Sequence, residues 1–221
     1  MFLIGIPTLN RADLLNDALV KYESDFSDSE ILVIDNGKQD IVKTNNSKII
    51  TPEINMGVAG SWNFLCKEIF KTHDYAVLLN DDVYLGYNSD VIKQVINKYP
   101  NTLIQSFVSW SVVIISKHLY NLVGEFDEIF YPAYYEDSDY LYRMKINHGI
   151  QQEVAAELNP EVVRISMTQE KSPDFVNASM QANRKRYIEK WGGLPLLESF
   201  TRAYNSSSIV RMFHHNPNYK I

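Results

Sequence analysis

Five apolar residues, Tyr75-Ala76-Val77-Leu78-Leu79, run directly into Asn80-Asp81-Asp82. A run this short and this uniformly apolar reads as a strand buried on both faces, the mark of a parallel sheet covered by helices. Two adjacent carboxylates at its end repel each other and lose hydration unless a cation or hydrogen-bond donors compensate. Open α/β sheets keep their ligands in the crevice outside the carboxyl ends of their strands, which is where this pair falls.

The rest of the first hundred residues fits such a sheet. Apolar runs at Phe2 to Ile6, Ile31 to Ile34 and Lys48 to Thr51 alternate with stretches of helical spacing, Ala12-Leu15-Leu19-Tyr22 and Trp62-Leu65-Ile69-Phe70. Strand and helix in alternation predict a mostly parallel sheet with right-handed crossovers. Asp90 to Tyr99 reads as a helix ended by Pro100. Beyond it, Thr102 to Val108 and Ser111 to Ser116 are too close for a helical crossover and read as an antiparallel or edge element. Lys117 to Val123 reads as helix and Phe126 to Tyr135 as an ordered loop. Glu136 to Asn147 reads as a helix closed by His148-Gly149. Strands are expected near Gln151 to Glu157 and Val162 to Ser166, a mobile loop at Gln169 to Asp174, and a last helix from Phe175 to Lys190 stopped by Gly192-Gly193.

With 221 residues and 45% apolar content the chain can bury a core in one domain, expected over 1–193 with a basic tail at 194–221. The nucleotide-binding part is placed at about 1–100 and the acceptor and catalytic part at about 101–193. No apolar run approaches the ~20 residues that cross a bilayer, and Met1 to Pro7 reads as a core strand, so a cytoplasmic protein is expected. The single cysteine, Cys66, forms no intramolecular disulfide and suits a reducing compartment. A formal charge of -6 argues against a dedicated nucleic-acid binder. The charge is uneven: residues 184–221 hold seven Lys/Arg against two Glu. Arg184, Lys185, Arg186, Lys190, Arg202 and Arg211 are thus available to phosphate, an anionic acceptor or a membrane surface, or form a solvated face.

Several positions carry chemistry. Asp35 ends a strand ahead of Asn36-Gly37, where it can accept from a base or ribose or serve only the turn. In Ile6-Pro7-Thr8-Leu9-Asn10-Arg11, Pro7 ends the strand, and Thr8 or Asn10 can cap the next helix. Asn55-Met56-Gly57-Val58-Ala59-Gly60 opens a helix whose free N–H groups can face phosphate. It lacks both the Walker lysine and the dinucleotide spacing. Asp81-Asp82 offer hard oxygens suited to Mg²⁺ or Mn²⁺, which would neutralise a substrate diphosphate. About 55 residues on, Glu136-Asp137-Ser138-Asp139 starts a helix, where it can supply a general base or only complement the helix dipole. The aromatic lead-in Phe130 to Tyr135 suits a carbohydrate-binding wall or core packing.

In order and spacing these residues resemble the GT-A glycosyltransferases, specifically the large family 2 of inverting enzymes, over residues 1 to about 193. The resemblance rests on Ile6 to Arg11, Asp35-Asn36-Gly37, Asn55-x-Gly57-x-Ala59-x-x-x-Asn63, Asn80-Asp81-Asp82 as a version of Asp-x-Asp, Phe126-Asp127-Glu128 with Tyr135 to Asp139, and Tyr187 to Gly193. It implies a Rossmann-like mixed sheet flanked by helices and a nucleotide-sugar donor, usually UDP-linked. Pro7, Thr8, Asn10 and Arg11 would line the donor site with Asp35 on the base and Asn36, Asn55, Gly57, Asn63 and Asn80 around it. Asp81 would reach the ribose or sugar, and Asp82 would bind Mn²⁺ or Mg²⁺. Asp137 would be the catalytic base, with Glu136 orienting the acceptor or sugar.

One departure concerns the metal. Many relatives add a histidine from a later strand, and Val162 to Gln169 contains none. His73, His118 and His148 read as structural. His214-His215 can fold back toward the metal or diphosphate, and Arg164 or Arg184-Lys185-Arg186 can offset diphosphate charge. The acceptor is a glycan, a lipid-linked sugar or another hydroxyl. A modified-base hydroxyl of DNA is a further option if the tail with Tyr204, Phe213 and Tyr219 holds a strand. A degenerate nucleotide-sugar-binding module and a sugar nucleotidyltransferase are the rival readings, the latter disfavoured because the first strand lacks a Gly-x-Gly-Thr-Arg type of loop.

Overall fold

The computed structural model describes residues 1–163, 173–207 and 214. Arg164, residues 169–172, Arg211, Phe213, His215 and Tyr219 lie outside the described residues. The chain runs β1 (Phe2–Thr8), α1 (Ala12–Asp25), β2 (Ile31–Asp35), β3 (Ser47–Ile50), α2 (Gly57–Ile69), β4 (Tyr75–Leu79), β5 (Val83–Tyr84), α3 (Ser89–Lys98), β6 (Leu103–Ser106), β7 (Ser109–Ser116), α4 (Lys117–Val123), α5 (Glu136–His148), β8 (Glu153–Val154), β9 (Val162–Val163) and α6 (Pro173–Trp191).

Seven strands form one mixed sheet in the order β3-β2-β1-β4-β7-β6-β8, and β5 pairs with β9 in a separate ribbon. The first four strands are parallel, with Thr8 opposite Asp35 and Gly5 opposite Leu78. β7 runs antiparallel to both β4 and β6. Residues 102–116 therefore do form an antiparallel unit, but β7 sits inside the sheet instead of at its edge. Its Val112-Val113-Ile114-Ile115 run is fully buried, as a strand covered on both faces requires. β8 is only two residues long and gives way to a 3-10 turn at Ala156–Leu158, shorter than the sequence suggests. β5 was hidden by its length, and Pro173-Asp174 begin α6 where a loop was expected.

Alternation along the strands separates two cores. Ile4, Ile6, Val77 and Val112 pack with Leu15, Leu19 and Tyr22 of α1 and Ile92 and Val95 of α3. Leu3, Leu78, Val113 and Ile115 face the other way, onto Trp62, Leu65 and Ile69 of α2, Leu119 of α4 and Met144 of α5. Cys66 lies inside this second layer, and burial pushes its thiol pKa far up, so it behaves as a small apolar side chain. Ser116 caps α4 by accepting from Leu119 N at 3.1 Å, and Gly149 ends α5 in the left-handed region at φ 66°. No helix among the described residues is long and apolar enough to cross a membrane.

Candidate active site

The register places Thr8, Asp35 and Asp81 at the carboxyl ends of three adjacent strands. Asp81 is half-buried; it accepts from the Thr8 side chain and, at 3.4 Å, from Leu9 N. Burial pushes its pKa up to about 6, with Thr8 opposing the rise and Asp82 adding to it. Burial also raises Asp82, whose Oδ1 is enclosed and has no hydrogen-bond partner. Asn80 is held by its N–H, which donates to Ser111 O of β7 at 3.1 Å.

Arg11 is 1% exposed, and its Nε and Nη2 donate to Asp13 at 3.1 and 3.2 Å. Its Nη1 has no partner, and its charge partly offsets both acidic residues of the loop after β4. Beside the acidic pair lies a cleft of about 100 Å³ between α1 and the β5–β9 ribbon, lined by Leu14, Asp17, Lys21, Asp82, Tyr84 and Val162 among others. Ligand pockets for whole small molecules run to roughly 300–1,000 Å³, so this cleft alone is too small to enclose a nucleotide.

The next loop is built from its own side chains. Asp35 is 1% exposed and accepts from Gly37 N (3.0 Å), Gln39 N (2.6 Å) and Gln39 Nε2 (3.1 Å). Gly37 is required because a Cβ there would come within 2.7 Å of Asn10 Oδ1, while Asn10 itself is exposed in the left-handed region. Asn36 ties this loop to α2, donating to Ser61 Oγ at 3.0 Å and accepting from Met56 N at 2.8 Å. Asn55 Oδ1 takes Gly57 N at 2.8 Å, and Pro132 O takes Val58 N at 2.8 Å. The N–H groups of residues 56–58 are thus committed inside the protein, which corrects the expectation that this helix start offers them to phosphate. Asn63 is corrected likewise. It is 1% exposed, donating to Phe126 O and Glu128 Oε1 and accepting from Tyr120 OH and Phe126 N. Every bond it can make is made in the core, where it anchors residues 126–128.

Gly57 has a second role. A Cβ on it would meet Pro132 O at 2.7 Å, and it sits at φ 69°. This close approach brings the loop of residues 131–135 against the start of α2, at the same edge of the sheet as Asp81. Asn183 of α6 holds the loop from the other side through Ala133 O at 2.7 Å and Tyr131 O at 3.3 Å. Arg186 also donates to Tyr131 O, at 3.3 Å, so of the basic cluster this member reaches the loop. Tyr134 and Tyr135 both occupy the left-handed region, at φ 76° and 75°. Non-glycine residues there carry strain of roughly 1–3 kcal/mol each, which persists only where surrounding contacts enforce it.

The clamped loop delivers Glu136 and Asp137 at the start of α5. Glu136 is 5% exposed with Oε2 unpartnered, and burial, followed by the neighbouring Asp137, raises its pKa well above the ordinary glutamate value. Asp137 is also raised, chiefly by burial; its Oδ1 accepts from Ser138 N at 2.6 Å. Asp139, third of the acidic run, is not part of this pair. It points into the core and binds Arg143 Nε (2.8 Å), Lys190 Nζ (2.6 Å) and Trp191 Nε1 (2.8 Å). His214 does fold back, but onto Asp127: its main-chain N donates to Asp127 Oδ1 at 2.7 Å, and its O accepts from Glu128 N at 2.9 Å.

The structure thus brings Pro7, Thr8, Arg11, Asn80, Asp81 and Asp82 together at one edge and presents Glu136 and Asp137 from a loop at that edge. Asn36, Asn55 and Gly57 tie these loops to α2, and Asn63 lies in the core. Among the described residues no three His, Cys, Asp or Glu side chains converge to hold a metal. Asp82 Oδ1 is nonetheless an enclosed acceptor without a donor, and one or two carboxylate oxygens suffice for an ion that takes its remaining ligands from phosphate and water. The residues present fit Mg²⁺ or Mn²⁺ on those terms. Sequence reasoning missed Phe107, placed inside a strand there; here β6 ends at Ser106 and the ring stands at a hairpin tip, 68% exposed.

No protein-family model matches this sequence, and no curated protein is similar to it. Solved structures share its fold. A mannosyltransferase from Pyrobaculum calidifontis, in complex with GDP-Man and Mn²⁺, superposes with a TM-score of 0.62 at 11% identity, covering 88% of this chain and 66% of that one. GalNAc-T7 with UDP, GalNAc and Mn²⁺ gives 0.57 at 11% identity, covering 86% and 48%. Glucosyl-3-phosphoglycerate synthase from Mycobacterium tuberculosis, with Mn²⁺, UDP and phosphoglyceric acid, gives 0.53 at 12% identity, covering 83% and 78%. This chain therefore spans about two thirds of the first structure and about half of the second. The fold is the GT-A fold of nucleotide-diphospho-sugar transferases.

Proposed function

We propose that this chain is an inverting glycosyltransferase that moves a sugar from a nucleoside-diphosphate sugar, most simply a UDP-sugar, to an acceptor hydroxyl. The observation that carries the reading is the presence of two raised, incompletely satisfied acidic pairs, Asp81-Asp82 and Glu136-Asp137, at one edge of a GT-A sheet. Structural carboxylates are normally paired; groups left raised and unpartnered suit a ligand or a proton-transfer role. Residues of about 1–100 would hold the donor and those of about 101–193 the acceptor and base, with 194–221 as a basic tail.

In this reading Pro7, Thr8 and Asp81 bound the nucleotide and ribose, and Asp35, by shaping the loop of residues 36–39, sets the wall against the base. Asp82 and the diphosphate would hold Mg²⁺ or Mn²⁺, which neutralises the charge of the departing nucleoside diphosphate. Asp137 takes the proton from the acceptor hydroxyl as that oxygen bonds to the anomeric carbon and the bond to the diphosphate breaks. Burial raises its pKa, which makes the carboxylate a stronger proton acceptor than a solvated one. A base on the face opposite the leaving group gives inversion. Glu136, buried beside it, holds the sugar or acceptor through Oε2.

A thermal-shift and calorimetric screen against UDP-, GDP-, CDP- and TDP-sugars, with and without Mn²⁺, tests the donor site. One nucleotide family should stabilise the protein, by about 2.7 kcal/mol at a hundredfold excess over Kd. The effect should grow with Mn²⁺, and the metal-dependent part should vanish in Asp82→Ala. Absence of any response across the screen removes the reading.

A further inference from the structure

The end of the β6–β7 hairpin has a composition unlike the rest of the edge. Gln105-Ser106-Phe107-Val108-Ser109-Trp110-Ser111 carries no charge and interleaves two aromatic residues with small hydroxyls and an amide. Its place is fixed by several bonds. Because β7 opposes β4, with Leu79 opposite Val112 and Asn80 N on Ser111 O, this end lies against the loop that carries Asp81 and Asp82. A bulge between Gln105 and Ser106 breaks the ladder, and Phe107 N donates to Asn159 Oδ1 at 2.8 Å. Two residues later Glu161 N donates to Leu85 O, and the chain enters β9, the partner of the ribbon strand that follows Asp82. Phe107 is thus presented by a fixed backbone with its ring 68% exposed.

Three residues on, Trp110 stacks on Trp62 with ring centroids 5.3 Å apart. Trp62 is 3% exposed and its Nε1 has no partner; Gln105 Oε1 is likewise enclosed without one. Unsatisfied buried donors and acceptors are rare in native proteins and mark places where a ligand or water belongs. An exposed aromatic ring set among uncharged polar residues matches a pyranose, which has an apolar C–H face and a rim of hydroxyls. A lipid tail has no use for the polar groups. A nucleic acid or other polyanion needs cations, and residues 105–111 contain none.

We propose that the β6–β7 hairpin end is the acceptor subsite and that it takes an uncharged sugar ring, stacked on Phe107. This rests on the glycosyltransferase reading and names the acceptor class for it. The test uses the donor found in the screen above with p-nitrophenyl glycosides of glucose, galactose, mannose and N-acetylglucosamine in both anomers. Glycerol 3-phosphate and an oligonucleotide bearing 5-hydroxymethylcytosine serve as anionic acceptors. Transfer to at least one glycoside is expected, with Phe107→Ala raising its KM about tenfold, lowering the ratio of transfer to donor hydrolysis, and Phe107→Tyr restoring both. Loss of one stacking partner is on that scale. Donor hydrolysis with transfer to no glycoside, transfer confined to the anionic acceptors, or a glycoside KM that Phe107→Ala leaves within twofold overturns the proposal alone. Failure to bind or hydrolyse any donor overturns the transferase reading and this proposal with it.

Discussion

Two groups of carboxylates in this protein are treated in opposite ways. Asp127 and Asp139 share Lys190, at 2.7 and 2.6 Å, and every oxygen of the two has a partner: Ile129 N and His214 on Asp127, Arg143 and Trp191 on Asp139. Burial alone would raise Asp127, but His214 and Lys190 hold it below the usual carboxylate range. Asp81, Asp82, Glu136 and Asp137 are all raised, and two of the four keep an oxygen with no partner. One group has its counter-ions built in. The other is short of them, and a ligand, an ion or a proton has to complete it. Saturation, more than acidity or burial, separates the carboxylates that hold the fold together from those that are free for chemistry.

The sharpest way to break this contrast is to swap one member of the unsaturated group. Asp137→Asn removes the proposed base while preserving shape, so transfer should fall by about 10²–10⁴-fold, the usual share of a positioned general base. A carboxyl whose folded pKa is raised diminishes stability above its unfolded value, so the amide should melt at the same temperature or higher at pH 7. Initial rates with the identified donor, together with a thermal melt, check both halves. Full-rate transfer would remove Asp137 as the base, and a large drop in melting temperature would move it into the structural group.

Lys190→Met is the converse experiment. It leaves Asp127 and Asp139 facing each other in the core without their shared cation, and breaking a buried pair from one side costs about 3–5 kcal/mol. Urea unfolding should show that loss, a large part of the ~5–15 kcal/mol that holds a typical domain. Donor affinity of the fraction still folded should stay near that of the unaltered protein. A loss under about 1 kcal/mol would mean the cluster is wetter or looser than its contacts imply.

This contrast was only half legible in the sequence. Local pattern carried most of the fold: the apolar runs at Phe2, Ile31 and Tyr75 and the helices between them are where periodicity puts them, because each buries its own face against a near neighbour. The central position of β7 was not readable, since it depends on which strand an antiparallel hairpin joins. The acidic pairs at 81–82 and 136–137 stood out as charges at element ends. The pairing of Asp127 and Asp139 with Lys190 did not: these long-range partners lie 51 to 63 residues apart, or 87 for His214. No local rule tells Asp137 from Asp139 two positions on, although helix geometry sends one toward the edge and the other toward Trp191. Asn63 looked like a ligand for the same reason, its saturation being a property of the tertiary structure alone.

The smallest expected effect lies where the saturated group meets solvent. His214 is half-buried; its Nδ1 approaches both Asp127 oxygens, at 3.1 and 3.2 Å, and that contact raises its pKa, while Lys190 on α6 opposes the rise and Asp139 supports it. A base raised on folding contributes stability that is full below its unfolded pKa of about 6.5 and is lost as pH rises through the folded value. Asp127, lowered on folding, contributes above an unfolded value of about 3.9 and loses that contribution as pH falls through the folded one. The imidazole's share is therefore greatest between about pH 4 and 6.5, and solvent screening keeps it below about 1 kcal/mol. Unfolding free energies of the unaltered protein and His214→Ala should differ at pH 5.5 and converge by pH 8.5, because the main-chain bonds to Asp127 and Glu128 persist in both. A gap of equal size at the two pH values would show that packing, and not the ion pair, docks residue 214, and would leave Lys190 and Arg143 as the cations this cluster depends on.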